Sequence, residues 1–169
     1  MNSVKIWEAC RATSAASSFF DPIAIGRYGE EFVDGATGAN NPVWDVWNQA
    51  QLMWGPEPFE SRIKCLVSIG TGVPSLKPFQ DDVFHIGKTL VAIATETKQT
   101  AERFRRDKPH LGDSGRYYRF NVDRGLEEIG LEESKKRKEI AAATRRYIGL
   151  QDVFKQMQVC ADSLAGREC

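Results

Sequence analysis

One run constrains the fold more than any other part of the chain. Residues 63–69 read Ile-Lys-Cys-Leu-Val-Ser-Ile, nearly continuous in apolar and β-favouring residues. A run of this length and density fits a strand covered on both faces, as in a parallel sheet, better than a half-exposed strand, which alternates. It stops at Gly70-Thr71-Gly72. A chain with such a strand has to supply helices for both of its faces.

The flanking sequence supplies them. Residues 3–15 carry Ile6, Ala9, Cys10 and Thr13 at helical spacing. Ser17-Ser18-Phe19-Phe20-Asp21-Pro22 ends this helix and leads into irregular chain with Pro22 and Gly26 as breakers. Glu31-Phe32-Val33 is a short strand candidate, followed by a loop of small residues at 34–41. Asn41 is an N-cap candidate with Pro42 in the first turn of the next helix, whose stripe is Val43, Val46, Trp47, Ala50, Met53 and Trp54. Gly55-Pro56 stops it.

A long helix is expected over residues 83–106, with Ile86, Leu90, Ile93, Thr97, Ala101 and Phe104 on one face and Pro109 just beyond. Residues 117–122 alternate as a strand. Residues 131–148 begin with charges, Glu132 among them, and become amphipathic through Ile140, Thr144, Tyr147 and Ile148, with Gly149 as C-cap. A final helix over 152–164 carries Val153, Met157, Cys160 and Leu164. Helices alternating with strands predict α/β layering. Three strands make a thin sheet for so many helices, which points to an incomplete fold.

Composition narrows the function classes. The 169 residues suit one domain, and 41% hydrophobic with 27% charged is ordinary for a globular chain. Lys+Arg and Asp+Glu are both 23, so there is no basic excess for nucleic acid or anionic membranes. The balance hides a split: residues 1–60 hold three basic and eight acidic residues, a net of −5, and residues 61–169 a net of +5. Solvated helix faces account for it, with a docking surface as the minority reading. No apolar run approaches a membrane span, and the first residues show no signal-peptide pattern. Cys10, Cys65, Cys160 and Cys169 lack metal-ligand spacing, and neither His85 nor His110 lies near them. Cys10 and Cys65 read as small buried hydrophobes, Cys169 as exposed, and reduced thiols in a cytoplasmic setting are expected.

Several short motifs have a plain structural reading beside a chemical one. Asp34-Gly35-Ala36 is a turn signal; it also places a carboxylate at a strand end with no bulky neighbour, where it can take a proton from a hydroxyl nucleophile. Gly70-Thr71-Gly72 reads first as a tight turn and second as a backbone cradle for an anion, without the lysine or spacing of a P-loop. Gly112-Asp113-Ser114-Gly115 resembles a serine-protease nucleophile loop but breaks off at Arg116 in a helix-rich chain. The tryptophans at 44, 47 and 54 read as helix packing. The sequence contains no G-x-S-x-G elbow.

Taken in order, four stretches resemble the C-terminal part of a patatin-like phospholipase domain. They are Trp7 to Ala16 followed by Phe19-Phe20 and Pro22; Phe32-Val33-Asp34-Gly35-Ala36; Asn40-Asn41-Pro42; and Leu66 to Gly72. The resemblance spans roughly residues 5–75 and weakens towards 150. It implies a three-layer α/β/α fold, incomplete here, with residues 1–150 as domain portion and 151–169 as a C-terminal helix and tail. It also implies hydrolysis of lipid or phospholipid acyl esters by a Ser–Asp dyad, with Asp34 as base, Gly35 and Ala36 keeping its approach open, and no metal or cofactor. Such an enzyme meets lipid through peripheral, transient membrane contact. The family's nucleophile and glycine-rich oxyanion loop precede the Asp motif and have no counterpart in these residues, so the chain is expected to be an inactive part of the family domain. A non-catalytic binding or regulatory role, and an unrelated α/β domain with Asp34 as a turn residue, are the alternatives.

Overall fold

A computed structural model of the chain describes residues 4–17, 19–55, 59–73, 84–127, 129–130 and 133–166, without the side chains of 37 and 84–95. Pro56, Val83, Glu132 and Cys169, and the side chains of His85, Ile86, Leu90 and Ile93, lie outside the described residues. The chain forms two compact units that divide after Asn40.

In the first unit, α1 (Ile6–Ala12) precedes an antiparallel hairpin of β1 (Ile23–Ile25) and β2 (Glu30–Phe32). Gly26 and Gly29 turn the hairpin at φ 82° and 65°, which favours glycine. β1 falls where irregular chain is expected, because three residues are too few to show a period. The α1 stripe is corrected: no α1 residue is buried, Ile6 is 86% exposed, and Cys10 is exposed rather than packed inside. Spacing defines a helix face; it does not supply a partner, and a unit this small has little with which to cover one.

The second unit holds α2 (Val43–Trp54), α3 (Phe59–Arg62), β3 (Leu66–Ile69), α4 (Phe84–Asp107), α5 (Pro109–Asp113), β4 (Tyr117–Phe120), α6 (Arg137–Ile148) and α7 (Gln151–Leu164). β3 and β4 pair in parallel, Leu66 opposite Tyr117 and Ser68 opposite Arg119. Alternation sorts their side chains. Leu66 and Tyr117 pack into an apolar core with Val43, Trp47, Phe59, Phe104 and Leu111, from α2, α3, α4 and α5. On the other face, Cys65 meets Cys160 of α7, and the Tyr147 hydroxyl of α6 accepts from the Asn121 backbone just after β4. Helices therefore cover the parallel pair on both sides, and the fold is α/β, as the 63–69 run demands. Among the described residues no helix is long and apolar enough to cross a membrane.

Phe104, fully buried, is the hub of the core. Its ring lies 5.0 Å from Trp44, 5.6 Å from Trp47 and 4.9 Å from Tyr117, the tryptophans edge-on. The helix-packing reading of the tryptophans thus holds for Trp44 and Trp47, and Trp54 stacks on Phe59 at 5.3 Å.

The Glu60 carboxylate joins α3 to α5. It accepts from Lys108 Nζ at 2.5 Å and pairs with His110 Nε2 at 2.7 Å, while Lys108 sits over the Trp47 ring. The Lys108 hydrogen bond, ahead of the nearby positive charges, holds the Glu60 carboxyl below its ordinary value near 4.5. A carboxyl depressed on folding contributes stability that is full above its unfolded pKa and lost as pH falls through the folded one. Glu60→Gln should therefore flatten the acid side of the stability profile, read as melting temperature from about pH 6 to about pH 3; an unchanged acid limb would refute the linkage.

The Cys65 and Cys160 sulfurs stand 3.9 Å apart as free thiols. Burial, then the hydrogen bond and charge of Cys160, pushes the Cys65 thiol up to about 11. At pH 8 only about one part in a thousand is thiolate, the reactive form. Timed labelling with a thiol reagent, read by peptide mass mapping, should modify exposed Cys10 first and Cys65 only as the chain unfolds. Equal rates for Cys10 and Cys65 in the folded chain would contradict this arrangement.

Candidate active site

Asp34 is placed by both ends of the first unit's chain. Thr13 and Ser14 hydroxyls turn back onto the Cys10 carbonyl and close α1. Ala15 follows, fully buried, and its carbonyl accepts the Asp34 backbone N–H at 2.9 Å. The small residues after α1 thus make room for the segment leaving β2. Arg11 adds a tie from Nη2 to the Asp21 carbonyl at 2.7 Å.

Asp34 itself is half-buried and caps a one-turn 3-10 helix, Gly35–Thr37. Its Oδ1 accepts the Ala36 N–H at 2.8 Å, and Oδ2 has no hydrogen-bond partner among the described residues. One oxygen is fixed and the other is unengaged among the described residues. Among the described residues, a Cβ on Gly35 would meet Ala39 Cβ at an ordinary 3.5 Å.

Asn41 departs from its expected role. α2 begins at Val43, Pro42 holds the cap position, and no side chain caps the helix. Asn41 is instead buried, donating Nδ2 to the Thr97 carbonyl at 3.3 Å and accepting from Ser68 Oγ at 3.5 Å. Ser68 in turn accepts from Arg119 Nη1 at 2.8 Å. Sequence reasoning missed this network. Its signal was available: Ser68 and Arg119 are the polar residues in otherwise apolar or aromatic strands, and they prove to be register partners.

The two other loops take their plain readings. Gly70 N–H donates to the Phe120 carbonyl and Gly72 N–H to Asn121 Oδ1, at 2.8 and 2.9 Å, so this loop is a pinned turn whose glycine N–H groups are spent. Ser114 ends α5 with its hydroxyl donating to the His110 carbonyl at 2.6 Å, and Arg116 Nε donates to the Ser114 hydroxyl at 2.7 Å. The His110 ring is engaged with Glu60, not Ser114. Among the described residues, no three His, Cys, Asp or Glu gather where they could hold a metal.

Comparison with known proteins adds the lineage. The patatin-like phospholipase family model matches residues 1–47, the stretch containing α1, the hairpin and Asp34. "Phospholipase A I" of Arabidopsis thaliana is 34% identical over 119 residues, 69% of this chain and 9% of the relative. "Calcium-independent phospholipase A2-gamma" of Mus musculus is 30% identical over 134 residues, 79% of this chain and 16% of the relative. The human protein of that name is 29% identical over the same shares. The chain thus spans about a tenth to a sixth of the length of these relatives. No solved structure matches it. The family match covers the Asp34 loop and the Arabidopsis relative is 34% identical over 69% of the chain, so the chain belongs to the patatin-like phospholipase family.

Proposed function

We propose that these residues supply the base half of a site that hydrolyses acyl esters of lipids or phospholipids, with Asp34 as the base of a Ser–Asp dyad. The observation that carries this reading is the Asp34 carboxylate, with Oδ1 held by Ala36 N–H and Oδ2 unengaged among the described residues. In the dyad, Oδ2 takes the serine proton as the hydroxyl oxygen attacks the ester carbonyl, then returns it to the departing alkoxide. Gly35 and Ala36 present no bulk against a nucleophile approaching that oxygen. The phospholipase names of the relatives support the lipid class. Proton transfer between hydroxyl and carboxylate calls for no metal or cofactor. Residues 1–150 are the domain portion and 151–169 its C-terminal helix and tail. The setting is cytoplasmic, with peripheral contact at a lipid surface.

The 169 residues contain no G-x-S-x-G, and the donors of an oxyanion hole are not identified among them. By themselves they are therefore inactive, and a non-catalytic binding role is the second reading for this polypeptide alone. A fluorophosphonate serine probe tests it: the purified chain should take up no stoichiometric label and cleave no fluorogenic acyl ester. Stoichiometric labelling would sink the inactivity reading.

A further inference from the structure

The last helix is anchored at one point. Among the described residues of α7 only Cys160 is buried, while Phe154, Met157, Val159 and Leu164 stay exposed. The helix lies against β4 and α6. Its buried sulfur meets that of Cys65, the residue just before β3, at 3.9 Å and across 95 positions of chain. The two thiols therefore face each other only while α7 is docked. Whatever changes that contact changes the hold on the helix.

A disulfide needs its sulfurs about 2 Å apart, so closing the pair takes a further approach of about 2 Å, shared between two side chains. Closing also adds no atoms to the interior, whereas an alkylating label does. Cys65 is partly exposed and open to an oxidant as small as a peroxide; Cys160 is buried and placed to resolve. The Cys65 thiolate attacks one peroxide oxygen, the O–O bond breaks, and the departing hydroxide takes a proton to become water. The Cys160 sulfur then attacks the Cys65 sulfenic acid. The S–S bond forms, the S–O bond breaks, and the hydroxyl leaves with the Cys160 proton as a second water. Two thiols lose two electrons and one peroxide gains them. Burial of Cys65 keeps the first step slow, so the pair stays reduced through brief exposure and closes under sustained peroxide.

We propose that Cys65 and Cys160 are a peroxide-sensitive redox pair whose disulfide fixes α7 onto the β3–β4 sheet. In a reducing compartment such a bond is transient, as a switch requires. The bond would close a loop holding α4, α5, β4 and α6 as well as most of α7, and cross-links over long loops constrain the unfolded chain most. The pair depends on neither Asp34 nor a lipid substrate.

The full chain carrying Cys10→Ser and Cys169→Ser retains two of its four cysteines, so one intramolecular pairing is possible. It is held in hydrogen peroxide, its remaining thiols are blocked, and the monomer is mapped without reduction. A linked Cys65–Cys160 peptide is expected. Amide hydrogen exchange across α7 should slow about tenfold or more, and the melting temperature should rise by on the order of 10 °C, both reversed by dithiothreitol. Sulfinic or sulfonic acid at Cys65 without the linked peptide overturns the pair. A linked peptide with α7 exchange unchanged overturns the locking of the helix. Adding Cys65→Ala, at the partly exposed position, supplies the control: peroxide should leave its α7 exchange as it was, and slowing there would overturn the assignment to this bond.

Discussion

Asp34→Asn, placed in a polypeptide joining these residues to a segment with a G-x-S-x-G elbow, should lower acyl-ester hydrolysis by about 10²–10⁴-fold. The substitution separates chemistry from structure. An asparagine oxygen can still accept the Ala36 N–H that Asp34 Oδ1 accepts at 2.8 Å, so the one-turn helix stays capped. Only the basic second oxygen is lost. Thermal unfolding of the variant should therefore match its parent within about 0.5 kcal/mol. An Asn variant that keeps its rate would end the dyad reading. One that loses both rate and stability would reassign Asp34 to the turn.

The second large effect concerns the core of the α/β unit. Phe104→Ala should cost about 3–5 kcal/mol in denaturant unfolding and lower the melting temperature by on the order of 10 °C. Phe104 has no exposed surface, and its ring contacts Trp44, Trp47 and Tyr117. Those neighbours come from α2 and β4, so a cavity there loosens helix against strand as well as helix against helix. Surrounding rings are too stiff to collapse into the gap, which places the cost towards the upper end. Met53, also on α2 but 79% exposed, is the control: Met53→Ala should stay within about 0.5 kcal/mol. Similar losses for both would mean that the apparent core does not organise the unit.

How much of this was legible beforehand depended on the range of the interaction concerned. The run ending at Ile69 announced a strand covered on both faces, because continuous burial leaves a local pattern. The C-terminal end of α2 was likewise written in Gly55, and the extent of α7 in its apolar spacing. β1, α3 and α5 escaped, since three to five residues show no period. Cys10 was misread because a helical stripe says which residues share a face and not whether anything covers it. Asp34 was visible as a carboxylate at a strand end, but the division of labour between its two oxygens needed the Ala15 and Ala36 contacts. Asn41, Ser68 and Arg119 were missed for a different reason. Ser68 and Arg119 stand out as polar residues in otherwise apolar or aromatic strands, but only the strand register shows that they meet.

That register also shapes how the second unit assembles. Leu66 meets Tyr117 across 51 positions of chain, and a parallel pair cannot be closed by a hairpin. Most of the intervening chain that the structure describes is α4, which can form locally and is about 36 Å long as a straight helix. Once helical, it replaces a long flexible loop with a stiff arm carrying Phe104 near the end that reaches β4. Non-local pairing is the slow part of folding in such topologies. The sheet is therefore expected to form late, after the helix that spans its two strands.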